Sequence, residues 1–581
     1  MADAADTIAK PPLPSLEDMQ HWTWVIGRAQ QTMLEYGLDL MKGAEPMAAP
    51  AVPVLPDTKG LAKAQADFWT DSLALWQRFL DPAKTPDAES PERDRRFAAP
   101  QWRDNPMFDL VRQSYLLISD HLLKGVDAID GLDGRQKDQL RFATQNFIDA
   151  MSPTNFAATN PLVIEKTIET RGENLIKGLE HMLRDMTKGQ LTHTDPDAFE
   201  VGRNIATTPG KVIHETPLYQ LIHYAPQTSE VFATPLLIFP PWINRFYILD
   251  LNPEKSFIRW AVGQGLSVFI VSWKSADASM ADVTWDDYIV RGQIDAIDTV
   301  RGLLGVESVH TIGYCVAGTT LAATLALLAA RGEEKKVATA TFFTAQVDFA
   351  QAGELNLFVT DEQLKLVESL SGEGFLDGRY MAATFNLLRG RDLIWNYVQN
   401  NYLLGMDYTP FDLLHWNGDT TNLPAKWHKS YLTDLYRDNK LVVPGAITVD
   451  GTPIDLTRVK TPSYVQAGRE DHIAPLESVW KITDHFAGPL QFVLAGSGHI
   501  AGVVNPPSAG KYQYWATDKP AKSLASFLEK AKETPGSWWP HWIGWLTARA
   551  PDKVSAKGAR IPGKGRLKAI EDAPGRYVKT R

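Results

Sequence analysis

The stretch His310–Gly332, HTIGYCVAGTTLAATLALLAARG, decides the fold. Val309 to Gly313 reads as a β-strand, Tyr314-Cys315-Val316 as a turn, and a helix of small residues begins near Ala317. A strand, a sharp turn and a helix with a nucleophile at the apex make the geometry of the G-x-S-x-G elbow. That turn is strained and its helix packs closely on its strand, so small residues are required two before and two after the nucleophile. Gly313 and Ala317 supply them, and Gly318 follows. The chain has one cysteine, and it stands at the apex. Free amides in the first helical turn favour negative charge there. The Val316 N–H, one residue past the nucleophile, is an expected oxyanion donor.

Working outward, LLIFPPWINRFYILDLNP carries a strand that ends at Phe239, with Pro240-Pro241-Trp242-Ile243-Asn244 turning over it. A second oxyanion donor belongs in such a loop, and either the Trp242 or the Ile243 N–H fits. The competing reading is a Pro-rich turn with a structural role alone. Downstream, the order expected for this elbow is nucleophile, acid, histidine, the last two on loops after later strands. Asp471 follows Ser463–Gln466 in SYVQAGREDHIAP, and His499 follows Gln491–Leu494 in LQFVLAGSGHIAGVVNP. Gly496 and Gly498 free that loop to present the imidazole. Most of the 13 histidines must be ordinary. His472 is the rival base and Glu470 the rival acid. His310 sits inside the strand before the elbow, and His223, His415 and His428 have no matching loop.

Further β-rich runs occur at Pro235–Phe239, Leu266–Trp273 and Thr339–Thr344. Helical stretches separate several of them; between Asp286 and Leu304, apolar residues fall on one face. Strands alternating with helices indicate a mostly parallel sheet. The fold class expected is therefore α/β, an α/β-hydrolase fold with an inserted cap subdomain and a helical amino-terminal region. Residues 1–60, which include the Pro- and Ala-rich stretch from Gly43, read as a flexible segment and linker. Residues 61–200 show helical periodicity. The core occupies 201–345 and 461–550, interrupted by an aromatic-rich insertion at 346–460. Residues 551–581 form a basic tail, expected to be solvated and without fixed structure.

At 581 residues the chain exceeds what one core supports. A formal charge of −10 weighs against a nucleic-acid binder and requires a local basic patch for any polyanionic substrate. One thiol excludes an internal disulfide and a Cys-based zinc site, and it fits a reducing compartment. No H-x-x-x-H spacing points to a metal, and neither a signal peptide nor a spanning segment is visible. A cytoplasmic protein is expected. Of 18 tryptophans, Trp538, Trp539, Trp542 and Trp545 crowd one segment. They suit either terminal packing or contact with a hydrophobic partner or product.

Taken together, PPWINRFYILDLNP, GYCVAG, GREDHIAP and GSGHIAGVVNP, with the upstream FEVGRNIATTPGKVI, resemble the polyhydroxyalkanoate synthases, specifically the single-subunit class I type. The resemblance runs from about Ala98 to Trp545, in order. It departs at Ala317, where many members have glycine. It implies an acyltransferase that joins (R)-3-hydroxyacyl-CoA, of short chain such as 3-hydroxybutyryl-CoA, into polyester with release of coenzyme A. Cys315, Asp471 and His499 would be its catalytic triad, and no cofactor or metal is called for. It also implies a homodimer at polymer-granule surfaces, with Trp416, Asn417 and Asn422-Leu423-Pro424 as cap or dimer-contact residues. A thioesterase or polyester depolymerase on the same scaffold is the alternative, against which Cys315 counts because serine is usual in such hydrolases. A non-catalytic granule-associated scaffold is the remaining one.

Overall fold

The computed structural model describes residues 59–80, 94–129, 131–519 and 521–580. The amino-terminal segment expected to be a flexible linker lies, but for its last two residues, outside them. The chain divides into two compact units, one of Met1–His193 with Phe385–Thr409, the other of Thr194–Thr384 with Pro410–Arg581.

The first unit is helical. Its main helices are α1 (Lys59–Leu80), α2 (Pro106–Asp127), α3 (Gly134–Ala150), α4 (Pro161–Glu169) and α5 (Glu173–Lys188). Local chemistry sets their ends. Asn105 caps α2 through the Met107 N–H with Pro106 as its first residue, and Asp133 and Gln136 form a reciprocal box at the start of α3. Phe385–Thr409 packs into this unit: Asn174 Nδ2 donates to the Leu403 carbonyl at 2.8 Å, and Arg391 meets Asp149 at 2.7 Å. The inserted segment expected to be one cap is thus shared between two units. Its apolar periodicity marks helices but carries no sign of which core they join.

The second unit is built on an eleven-stranded sheet. Its strands are β1 (Gly210–Glu215), β2 (Tyr219–Tyr224), β3 (Leu236–Phe239), β4 (Val268–Trp273), β5 (Val309–Tyr314), β6 (Val337–Phe343), β7 (Ser463–Gly468), β8 (Leu490–Ala495), β9 (Gln513–Ala516), β10 (Lys532–Pro535) and β11 (Glu571–Asp572). Their spatial order is β10-β9-β8-β7-β6-β5-β3-β4-β2-β1-β11. The stretch from β8 to β4 is parallel, and antiparallel strands flank it on both sides. These parallel strands are the six apolar runs seen in the sequence, each within two residues. Buried on both faces, they read as continuous hydrophobic stretches. Helix α6 (Asp295–Leu304) and helix α7 (Val316–Arg331) flank β5 in the chain.

The carboxy-terminal residues correct the expectation of an unstructured tail. Lys553–Ser555 pairs with Glu230–Phe232, β11 closes onto β1, and Arg560 is buried with its guanidinium on the Ala233 carbonyl and Ser267. Basic residues here satisfy strand-end carbonyls, which composition cannot show. The tryptophan cluster resolves as packing. On α8 (Trp539–Thr547) and just before it, Trp538, Trp539 and Trp542 are buried, and Trp545 is half-buried under Arg549.

Candidate active site

Parallel register brings the strand ends into line. Phe239 pairs with Gly313, Tyr314 with Phe343, Phe343 with Gln466, and Gly468 with Ala495. The loops holding Trp242 and Ile243, Cys315, Asp471 and His499 therefore leave the same carboxyl edge, where open parallel sheets place their sites.

Cys315 joins β5 to α7 with φ 53° and ψ −127°, a backbone that L-residues rarely adopt. The Gly318 and Thr319 N–H groups close onto the Cys315 carbonyl, so the Val316 and Ala317 amides are left as first-turn donors without an intrahelical acceptor. The tight packing falls one residue later than anticipated. A Cβ on Gly318 would stand 2.4 Å from Ala345 Cβ, and one on Gly313 would stand 2.5 Å from Gly318 Cα. Ala317, by contrast, is accommodated, buried, with its carbonyl accepting from Gln293 Nε2 at 2.9 Å.

Asp471 and His499 meet, His499 Nδ1 lying 2.7 Å from Asp471 Oδ2. Asp471 Oδ1 accepts from the Ile473 and Ala474 amides at 2.8 and 2.9 Å, an Asx turn that locks the carboxylate. Burial alone pushes the His499 imidazole toward neutrality. The Asp471 carboxylate and negative charge at Cys315, which also shares a hydrogen bond with the ring, outweigh it and hold the pKa up to about 10. Glu470, the rival acid, is exposed. His310 is buried against Thr339 Oγ1 at 2.8 Å, and desolvation lowers it to about 4, as suits a core histidine.

The turn after β3 is fixed by its side chains. Trp242 stacks on Tyr288 with ring centroids 3.9 Å apart, and its carbonyl accepts from Thr421 Oγ1 at 2.6 Å. Trp416 is buried with Nε1 on the Arg245 carbonyl at 2.7 Å, and Asn422 bonds Ser275, Ala276 and Gly378. These residues clamp the insertion onto the sheet domain from within the chain.

Several neighbours of the site carry no sequence signal of their own. Tyr314 O–H donates to the His499 carbonyl at 3.0 Å. The indoles of Trp538 and Trp539 donate to the Gly502 and Val503 carbonyls, at 2.7 and 2.9 Å, bracing the loop just past His499. Buried Tyr431 and Tyr436 both feel the charge of Cys315. Among the described residues no group of three or more His, Cys, Asp or Glu is arranged to hold a metal, and no helix is long and apolar enough to cross a membrane.

Comparison with known proteins adds two family profiles. One, described as poly-beta-hydroxybutyrate polymerase (PhaC) N-terminus, matches residues 93–261; the other, alpha/beta hydrolase fold, matches residues 235–506. A poly(3-hydroxyalkanoate) polymerase subunit PhaC of Rhizobium meliloti is 45% identical over 536 residues, covering 91% of this chain and 87% of its own. The protein of the same name from Cupriavidus necator is 44% identical, covering 94% and 91%. A poly(3-hydroxyalkanoate) polymerase of Methylorubrum extorquens is 42% identical, covering 91% and 88%.

Proposed function

This chain belongs to the poly(3-hydroxyalkanoate) polymerase family, acyltransferases that make polyester, and from that premise we propose that it works through an acyl thioester on Cys315. The observation that carries this reading is the chain of contacts from Asp471 through His499 to Cys315 at a strained elbow. His499 takes the thiol proton and the sulfur attacks the thioester carbonyl of a short (R)-3-hydroxyacyl-CoA, such as 3-hydroxybutyryl-CoA. Coenzyme A leaves as its thiol with the proton from His499. Exchanging one thioester for another keeps the acyl group activated.

A hydroxyl, from the chain end or the next monomer, then attacks the acyl carbonyl. Its proton passes to a base, the C–S bond breaks as the ester bond forms, and the Cys315 sulfur is reprotonated. His499 is favoured as that base over Asp471, whose oxygens are held by the His499 ring and two amides. The Val316 amide and a partner from Trp242 or Ile243 suit the developing oxyanion. Exclusion of water is supported by the packing of Trp427, Tyr431, Leu435 and Tyr436 into one apolar cluster with Trp242, Val316 and Ala317. The same reading takes the protein to act as a cytoplasmic homodimer at granule surfaces. Sedimentation that shows only monomer with substrate bound counts against the dimer.

The test supplies 3-hydroxybutyryl-CoA and follows free thiol and insoluble polymer together, with intact mass measured on the protein. Thiol with polymer and an acyl adduct on wild type, lost in Cys315→Ser, is the expected result. Thiol with only soluble acid would make the protein a thioesterase, and near wild-type turnover by Cys315→Ser would remove the cysteine mechanism.

A further inference from the structure

Thr344 follows directly on β6, and its backbone stands at φ 41°. A positive φ is a true outlier for a β-branched side chain, which crowds its own backbone there. Such a residue persists only where its neighbours over-determine it. Here they do. The Phe343 carbonyl accepts from the Cys315 N–H at 2.9 Å, and the Thr344 N–H donates to the Gln466 carbonyl at 2.8 Å. Ala345 fits against Gly318, where an added Cβ would stand 2.4 Å from its methyl. The Gln346 carbonyl accepts from Thr319 Oγ1 in the first turn of α7 at 2.6 Å. Residues on both sides of Thr344 are thus pinned to the elbow. Because β6 lies between β5 and β7, Thr344 stands on the carboxyl edge between the nucleophile's strand and the strand that leads to Asp471.

Its hydroxyl takes no part in this pinning. Thr344 is fully buried, and its Oγ1 has no hydrogen-bond partner among the described residues. The buried threonines around it behave otherwise. Thr320 Oγ1 donates to the Val316 carbonyl at 2.9 Å, and Thr324 Oγ1 donates to Gln293 Oε1 at 2.7 Å. Thr339 Oγ1 lies 2.8 Å from His310 Nδ1, and Thr341 Oγ1 accepts from Trp542 Nε1 at 3.0 Å. An unpaired buried hydroxyl costs stability that a valine of the same shape would recover. Thr344 therefore carries two costs at once, a strained backbone and an unpaired oxygen, next to the carbonyl that holds the nucleophile's own amide. Costs of this kind gather where a ligand completes the bonding.

Resting on the acyl-Cys315 reading, we propose that the Thr344 hydroxyl binds an oxygen of the acyl group carried on Cys315 and so places that group in the site. The acyl group offers two such oxygens. The thioester carbonyl oxygen accepts only, whereas the 3-hydroxyl, like Thr344 itself, both donates and accepts. Thr344 gives up no proton in this role. Its bond forms only with substrate present, so the hydroxyl serves turnover and not folding.

The testing variant is Thr344→Val, which exchanges the hydroxyl for a methyl at the same shape. Single-turnover acylation of Cys315 is followed by intact mass with 3-hydroxybutyryl-CoA and with butyryl-CoA, which lacks only the 3-hydroxyl. Melting is recorded without substrate. The 3-hydroxybutyryl rate falls about tenfold or more while the melting temperature holds or rises, and Thr344→Ser, which keeps the hydroxyl, retains most of the rate. A loss confined to 3-hydroxybutyryl-CoA assigns the bond to the 3-hydroxyl; an equal loss with both substrates assigns it to the thioester carbonyl. An unchanged rate in Thr344→Val overturns the proposal. So does a Thr344→Ser variant as slow as Thr344→Val, and so does a folded Thr344→Val with a lowered melting temperature, the mark of a hydroxyl already bonded inside the protein. Should Thr344→Val not fold, Thr344→Ala, which also lacks the hydroxyl, is read against Thr344→Ser by the same rates, and equal rates there overturn the proposal too. Wild type that forms no adduct with either substrate fails the cysteine mechanism, and the assignment with it, a result distinct from wild type that acylates no faster than Thr344→Val.

Discussion

His499 Nδ1 rests 2.7 Å from Asp471 Oδ2, while the other Asp471 oxygen is held by the amides of Ile473 and Ala474. One carboxylate therefore orients the imidazole and is itself oriented by its own loop. The acid cannot swing away without breaking three hydrogen bonds.

Asp471→Asn keeps the shape but removes the charge and offers an amide N–H where the ring needs an acceptor. Release of coenzyme A from 3-hydroxybutyryl-CoA should fall by roughly 10³-fold or more. A loss smaller than tenfold would show that the carboxylate has no part in the chemistry.

Tyr314→Phe strips the His499 carbonyl of its O–H donor, and Trp538→Phe does the same to the Gly502 carbonyl. Each leaves a buried acceptor unpaired, at a cost of about 1–3 kcal/mol. The two should separate kinetically. Tyr314→Phe lowers kcat more than KM because it touches the histidine's own residue, whereas Trp538→Phe acts mainly on the melting temperature. Equal kinetics in both variants would contradict this division.

At the elbow, Gly318→Ala forces a Cβ to 2.4 Å from Ala345 and 2.8 Å from the Gly313 carbonyl. Backbone on one side and a methyl on the other cannot both give way, so destabilisation of about 2 kcal/mol or more is expected. Ala317→Gly should cost no more than about 1 kcal/mol, the helix-propensity difference. Chemical denaturation of the two variants checks the order, and the reverse order would refute the packing argument.

His223 stacks on Phe269 at 4.1 Å, fully buried, with neither ring nitrogen bonded among the described residues. Burial, aided by Arg560, lowers its pKa to about 3. Below about pH 6.5 the unfolded chain binds a proton here that the folded chain refuses, so stability drains away as pH falls from about 6.5 toward 3. His223→Phe removes that drain. Its melting temperature should gain on wild type at pH 5 by more than at pH 8, and a gap that is constant with pH would exclude His223 as the acid-sensitive group.

Much of this was legible in the residues. Six hydrophobic runs became the six parallel strands because a strand buried on both faces leaves an unbroken apolar signature. The elbow was legible because strain demands small residues at set offsets around Cys315. Asp471 and His499 could be found by chain order and by loops following strands. The hairpin of β1 and β2, the edge strands β9 and β10 and the short β11 were not read, since their antiparallel flanks carry His, Gln and Lys among the apolar residues.

By itself, then, the sequence determined the parallel centre of the sheet, the nucleophile's bend and the residues that face it, all of which follow from local periodicity and sterics. Only the tertiary structure decided that Phe385–Thr409 joins the helical unit and that the basic terminus is built into the sheet domain. Those outcomes depend on which distant carbonyl or core meets a given side chain. Such partners are chosen in space, so no window along the chain contains them.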